Sequence, residues 1–215
     1  VLGWLVMTSR KRWSALVLVA ILALLFFNLA PAEWFNRLST IEDAGEDASF
    51  MGRVIAWKVS SAMALSNPVF GGGFHAVQVQ GIWDQFKAAP GLLGFLNLPI
   101  PEFSAKAAHS IYFEVMGDMG FVGLFIFMAI LLHALRSRFV IKRQLHSMGP
   151  QWLWARDMAD MLMLGIVAYM AGGAAVSLAY FEVIYMVVML MEMLRLHVAR
   201  AVVAARAVPS NGGGA

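Results

Sequence analysis

Two side chains in the middle of this chain have the types and surroundings of a reaction site. Arg53 lies in the segment Gly-Arg-Val-Ile-Ala-Trp-Lys (52–58), and His109 lies in Ala-His-Ser-Ile-Tyr-Phe-Glu (108–114). A guanidinium is a permanent cation whose fork of donors binds anions, and a neutral imidazole can accept a proton from a hydroxyl group. Both fall within 33–110, a stretch between two long uncharged runs, so we expect them to act together just outside a membrane.

The elements that must position these groups are membrane helices. Hydrophobic residues make up 60% of the chain, charged residues only 13%, and the mean hydropathy is +0.72. Three runs without a formal charge are about as long as a bilayer-spanning helix, which needs roughly 17 to 25 residues. They are Trp13–Ala32, Met119–Leu135 and Met161–Phe181. They lack the alternation of barrel strands, so the predicted fold class is an all-α polytopic transmembrane protein.

A fourth crossing, Val183–Leu194, is shorter and carries Glu192. It can span the bilayer only if its helix continues and the side chains of Arg195 and Arg200 reach the interface. At the other end, Val1–Met7 is typical of the tail of another apolar helix. Because the chain has no starting methionine, we interpret it as the C-terminal part of a larger protein.

The basic residues predict the orientation of the helices. Lys and Arg cluster before the first run, between the second and third, and after the fourth, so these segments are predicted to be cytoplasmic. The segment 33–110 then lies outside. The net charge of +3 reflects this topology and contact with anionic lipid, and it indicates no nucleic-acid partner. The chain has no cysteine, which excludes disulfides, thiol nucleophiles and thiolate metal sites.

The external segment 33–110 is too long and too apolar to be a passive connector. We predict a helix over about Ser49–Ser66, stopped by Asn67-Pro68, which puts Arg53 and Trp57 on one face.

Three consecutive glycines follow this predicted helix. Gly71, Gly72 and Gly73 permit a tight turn whose exposed amides could hold an anion. A further helix is predicted to start at about His109 and to run directly into the next span.

Four motifs in this part of the chain carry a family resemblance. They are Gly52-Arg53-x-x-x-Trp57, Asn67-Pro68-x-x-Gly71-x-Gly73, Ala108-His109-Ser110-x-Tyr112-x-Glu114 and Gly120-x-x-Gly123-Leu124. In this order the chain resembles the C-terminal half of the O-antigen ligase and polymerase superfamily. It is most similar to O-glycosylation ligases associated with exosortase A, in Trp34–Ile41, Glu46-Asp47, Met51–Arg53 and Ala179–Glu182.

The resemblance implies a glycosyltransferase of the GT-C type in the bacterial inner membrane. Such an enzyme moves a glycan from undecaprenyl pyrophosphate to a lipid or protein acceptor on the periplasmic side, with inversion and without a metal or other cofactor. The implied organisation is one helix end, a basic turn and one full transmembrane helix in 1–32, a periplasmic loop with the active site in 33–110, three transmembrane helices in 111–198, and a cytoplasmic tail in 199–215. The fragment alone is expected to be inactive, because the family's second donor-binding arginine should lie upstream.

The resemblance also implies residue roles. Arg53 would stabilise the pyrophosphate leaving group, and His109 would accept the proton of the attacking hydroxyl group. Contacts to the substrates are predicted for Arg37, Trp57, Gly71, Gly73, Tyr112 and Glu114.

Other interpretations of these residues stay open. Arg53 could be a cation–π partner of Trp57, His109 could only hydrogen-bond its helix, and Arg37 could pair with Glu33. His75 is interpreted as an ordinary loop histidine.

Two other functions are open at this stage. A polymerase of the same superfamily would share the donor chemistry but use a lipid-linked repeat unit as its acceptor. A membrane transporter component would show charged or unwound positions near the middle of its spans and an internal repeat. Met119–Leu135 and Met161–Phe181 contain no acidic or basic residue, which disfavours transport.

Overall fold

The computed structural model of the protein describes residues 48–98, 100, 102 and 104–207. Predictions on 1–47 and 208–215, among them the first transmembrane run and the substrate contact of Arg37, lie outside the described residues. Nearly all described residues belong to one compact unit, which begins at Arg53.

The described part of the chain consists of helices and turns and contains no strand. Its α-helices are α1 (Ala48–Ser66), α2 (Gln80–Phe86), α3 (Ile111–Gln144), α4 (Leu153–Gly172) and α5 (Glu182–Ala207). Helix α3 and the stretch Pro150–Ala175 are long and apolar enough to cross a membrane. The all-α prediction is confirmed for these residues, and so are two of the apolar helices.

Helix α1 has nearly the predicted bounds, and α3 begins two residues after His109. The helix of the fourth predicted crossing continues past Arg195 to Ala207, as that prediction requires. Glu192 on this helix pairs with Arg195 one turn later and lies 3.3 Å from the His133 imidazole of α3. The acidic group is therefore compensated, while the crossing itself stays a prediction.

The long helices α3, α4 and α5 pack against one another. Their shared core contains fully buried aliphatic side chains, including Ile111, Leu131, Ile166, Met191 and Val198. Near the predicted cytoplasmic end, Arg138 and Lys142 of α3 bind Asp160 of α4 at 2.6 and 3.1 Å. This three-helix group is the support on which α1 and the turns around it are placed.

Candidate active site

Trp57 connects α1 to the segment that precedes α3. Its indole N–H donates to the carbonyl oxygen of Ala108 at 2.6 Å. Its ring also stacks on Phe113, with the ring centres 5.1 Å apart and the planes 7° from parallel. Arg53 lies one helical turn earlier on the same face of α1 and is half-buried. The Trp57 contacts therefore bring the α1 face that carries Arg53 to the neighbourhood of His109.

His109 is exposed, but its backbone is held on both sides. The neighbouring Ala108 and Ser110 are buried, and the His109 amide donates to the Ser177 hydroxyl oxygen at 2.9 Å. Its φ angle is +46°, a left-handed conformation that turns the chain sharply just before α3 begins. A side chain on such a fixed turn can be presented to a substrate with little loss of freedom.

Neither candidate side chain forms a polar contact with the rest of the described structure. Among the residues in the described ranges, the Arg53 guanidinium and the His109 imidazole have no hydrogen-bond or ion-pair partner. A half-buried guanidinium without a carboxylate partner is suited to an external anion.

The glycine turn after α1 lies against α3. The amides of Gly72 and Gly73 donate to the carbonyl oxygens of Gly117 and Asp118 at 2.8 and 3.0 Å, and the Gly71 amide donates to Asn67. The predicted exposed amides are therefore not found at these three glycines, whose donors are already engaged. A substrate contact of Gly71 or Gly73 stays a prediction that would need these bonds to open.

The same turn approaches α3 so closely that side chains are excluded. A Cβ atom on Gly71 would lie 2.5 Å from the Gly117 carbonyl oxygen, and one on Gly120 would lie 2.5 Å from the Pro68 carbonyl oxygen. Gly120 also has a φ angle of +66°, which interrupts the helical backbone of α3 at this point. Gly71 in the turn and Gly120 in α3 thus permit a close contact between the backbone of the turn and the backbone of α3.

Asp118 is the anion that this turn binds. Its buried carboxylate accepts hydrogen bonds from the amides of His75 and Ala76, at 2.9 and 3.2 Å, and from the Tyr180 hydroxyl group at 2.8 Å. In the bond between them the Tyr180 hydroxyl group is the donor and the Asp118 carboxylate the acceptor. One carboxylate therefore connects α3, the glycine turn and the turn before α5.

Glu114 and Tyr112 bind other parts of the chain. The Glu114 carboxylate is buried, accepts from the Ala179 amide at 3.2 Å and lies 3.9 Å from the His75 imidazole. The Tyr112 hydroxyl group donates to the Met170 carbonyl oxygen of α4 at 2.7 Å. In this structure both side chains position helices and turns, and their predicted substrate contacts stay untested.

Sequence reasoning missed two features of this site and predicted a third only in part. Ser177 is a lone serine in an apolar run, and no pattern indicates its contact with His109. Asp118 is expected to face a protein interior or a watery cavity, since it is a charged group at the start of a span, but its partners in the glycine turn and at Tyr180 are not predicted. His75 was interpreted as an ordinary loop residue, yet it lies beside Glu114 and against the Tyr180 ring.

A separate groove of about 420 Å³ lies between α3 and α5 and is lined mainly by apolar side chains, including Phe125, Ile130 and Val188. Its first lining residue on α3, Phe125, lies roughly 21 Å along the helix from Ile111, at 1.5 Å per residue. The groove is therefore not part of the Arg53 and His109 site.

A family model described as O-antigen ligase matches residues 1–128. The matched range contains Arg53, the glycine turn and His109. No curated protein and no solved structure matches the chain.

Proposed function

Because the chain belongs to the O-antigen ligase family, we propose that it transfers a glycan from undecaprenyl pyrophosphate to an acceptor on the periplasmic side of the bacterial inner membrane. Membership of this family supports the interpretation of the chain as part of a membrane enzyme with ligase or polymerase-type activity. The finer assignment to ligases associated with exosortase A rests on the sequence motifs given above.

In the proposed reaction, an acceptor hydroxyl oxygen attacks the anomeric carbon of the glycan. The bond from that carbon to the pyrophosphate oxygen breaks, and the configuration inverts. His109 accepts the proton of the hydroxyl group, while the Arg53 guanidinium stabilises the charge that develops on the departing undecaprenyl pyrophosphate. The charge is met by a permanent cation at a low-dielectric surface, so this chemistry requires no metal ion.

One observation supports this proposal more than the others. The Trp57 indole binds the carbonyl group of Ala108, so the helix that carries Arg53 is joined to the residue before His109. Both candidate groups lack partners among the described residues, as a cation and a base that serve a substrate should.

A transfer assay tests the proposal in membranes that contain the enzyme, the lipid-linked donor and the acceptor. His109→Ala should abolish transfer without changing protein abundance. Arg53→Lys should lower it strongly, because a single ammonium group cannot reproduce the two-point binding of a guanidinium.

The matched controls are His146→Ala and Arg156→Lys, which change the same residue types at exposed positions near the predicted cytoplasmic side. Both should transfer normally. Undiminished transfer by His109→Ala would remove this histidine from the mechanism.

A further inference from the structure

Helix α1 runs beside the first turns of α3 and in the same direction. Trp57 stacks on Phe113, and Ser60 lies against Gly117, where an added Cβ atom would be 2.9 Å from the serine Cβ. Just beyond the end of α1, the Pro68 carbonyl oxygen accepts a hydrogen bond from the Phe121 amide at 2.8 Å. In these three contacts, later residues of the α1 segment meet later residues of α3. The two segments therefore run side by side in the same direction as far as Phe121.

The chain then reverses beside the same helix. Gly72 binds the Gly117 carbonyl group, Gly73 binds that of Asp118, and the His75 imidazole lies 3.9 Å from Glu114. The contacts thus return from the level of Phe121 to that of Glu114. We call residues 57–75 the α1 hairpin, and its tip is Val69-Phe70.

The position of this tip along α3 can be compared with the expected membrane boundary. Asp118 is the last acidic residue before the uncharged run that ends at Leu135. That run measures roughly 25 Å as a helix, close to the thickness of the bilayer hydrocarbon. The outer boundary therefore lies near Asp118, and the contact between Pro68 and Phe121 is just inside it.

The surface of the tip has the chemistry of a lipid contact. Phe70 is 76% exposed and Val69 is 50% exposed, at the level where α3 begins to expose Val122 and Phe125. The sequence has no Asp, Glu, Lys or Arg between Lys58 and Asp84. The apolar tip is therefore continuous with the apolar outer face of α3.

Non-helical backbone is tolerated at membrane depth where its polar groups are satisfied. Most amides near the tip of the hairpin are hydrogen-bonded within the protein, although the Val69 amide has no partner in the described part of the chain. The Phe70 amide donates to the Asn67 side chain at 3.3 Å and the Gly71 amide to the Asn67 carbonyl oxygen at 2.8 Å. The next amides bind α3, and proline at position 68 has no N–H group to satisfy.

We propose that the α1 hairpin is re-entrant: it enters the outer leaflet of the bilayer and leaves on the same side, with Val69 and Phe70 in contact with acyl chains. This inference rests on the proposed location of 33–110 outside the membrane. The hairpin would hold the Arg53 helix against the lipid, where the pyrophosphate of a lipid-linked donor would lie.

This chain has no cysteine, so single-cysteine spin labelling gives a direct test once any cysteine in the rest of the complete enzyme is replaced by serine. Phe70→Cys and Val69→Cys are labelled separately with a nitroxide in the complete enzyme, reconstituted in phosphatidylcholine vesicles. Power-saturation measurements compare the collision of each label with oxygen, which concentrates in lipid, and with a water-soluble nickel chelate. Phe125→Cys on the exposed face of α3 is the lipid reference, and Gln85→Cys, at an exposed position of α2, is the water reference.

Both tip labels should favour collision with oxygen, as the Phe125 label should. Collision mainly with the nickel chelate, as expected at Gln85, would place the tip in water and overturn the proposal. Little collision with either reagent would mean that protein covers the tip, which overturns it equally. Because the readout is depth and not transfer, a failure here leaves the proposed reaction untouched.

Discussion

The indole N–H of Trp57 and the carbonyl oxygen of Ala108 are joined at 2.6 Å across 51 positions of the sequence. This bond connects two motifs that are far apart in the chain, one containing Arg53 and the other containing His109. Preorganisation of a cation and a base lowers a barrier only if both keep their places as the reaction proceeds. Besides the substrate contact predicted for its ring, Trp57 is therefore expected to affect the rate of transfer through its hydrogen bond to Ala108.

Replacing Trp57 by phenylalanine should separate its hydrogen bond from its stacking. The new ring can still stack on Phe113, but the donor to Ala108 is lost. A hydrogen bond within a protein contributes about 1 kcal/mol, so kcat for glycan transfer should fall roughly fivefold with little change in KM.

Trp154→Phe is the matched control, because this indole on α4 is half-exposed and makes no hydrogen bond in the described structure. It should transfer at the normal rate. Equal activity of both variants would show that the hydrogen bond to Ala108 does not position the groups that carry out transfer.

A glycine at position 109 should remove the imidazole and relieve the backbone. The φ angle of +46° is unfavourable for a residue with a side chain and is freely adopted by glycine. His109→Gly should therefore lose roughly 10²-fold or more in kcat, while its thermal unfolding temperature is unchanged or raised. The control Asn97→Gly changes a residue with a φ angle of +48° and should keep normal transfer. A His109→Gly protein that unfolds readily would indicate a structural histidine.

The approach of the glycine turn to α3 should be sensitive to a single methyl group. Gly120→Ala places a Cβ atom 2.5 Å from the Pro68 carbonyl oxygen and forces alanine into a φ angle of +66°. We expect a loss of roughly 1 to 3 kcal/mol in the free energy of unfolding, measured by denaturation in detergent micelles. Gly165→Ala on α4, where an added Cβ atom meets nothing within 4 Å, should be neutral or slightly stabilising. Equal stability of the two variants would contradict the close contact.

Local signals in the sequence predict the helices well. The end of α1 at Ser66 follows from Asn67-Pro68, because the residue before a proline disfavours the helical conformation and proline lacks a donor. The apolar run that begins at Met119 predicts the spanning part of α3. Each of these signals depends on residues close together in the chain, so it can be recognised in the sequence without knowledge of the fold.

The arrangement of the candidate site depends on contacts that no local pattern records. The glycine run indicates a turn, but only the fold shows that the amides of Gly72 and Gly73 bind carbonyl groups of α3. Glu114 is predicted by its motif to contact a substrate, and only the fold shows that its carboxylate accepts a hydrogen bond from the Ala179 amide, 65 positions later. The hydrogen bond from Trp57 to Ala108 is equally non-local, so the sequence could name Arg53 and His109 but could not show what connects them.

Asp118 should be important for the stability of the site, because its carboxylate accepts hydrogen bonds from two segments of the chain. In Asp118→Asn, one carboxylate oxygen becomes an amide NH₂ group, which cannot accept from the His75 amide, the Ala76 amide or the Tyr180 hydroxyl group. At least one buried donor then lacks an acceptor, at a cost of roughly 1 to 3 kcal/mol, whereas Tyr180→Phe removes only one donor and should cost about 1 kcal/mol. Unfolding of both variants in micelles, with the exposed Asp157→Asn as control, measures the difference. If Asp118→Asn were no less stable than Tyr180→Phe, the carboxylate would not be what holds the glycine turn, and the position of the α1 hairpin on α3 would have to depend on the glycine contacts alone.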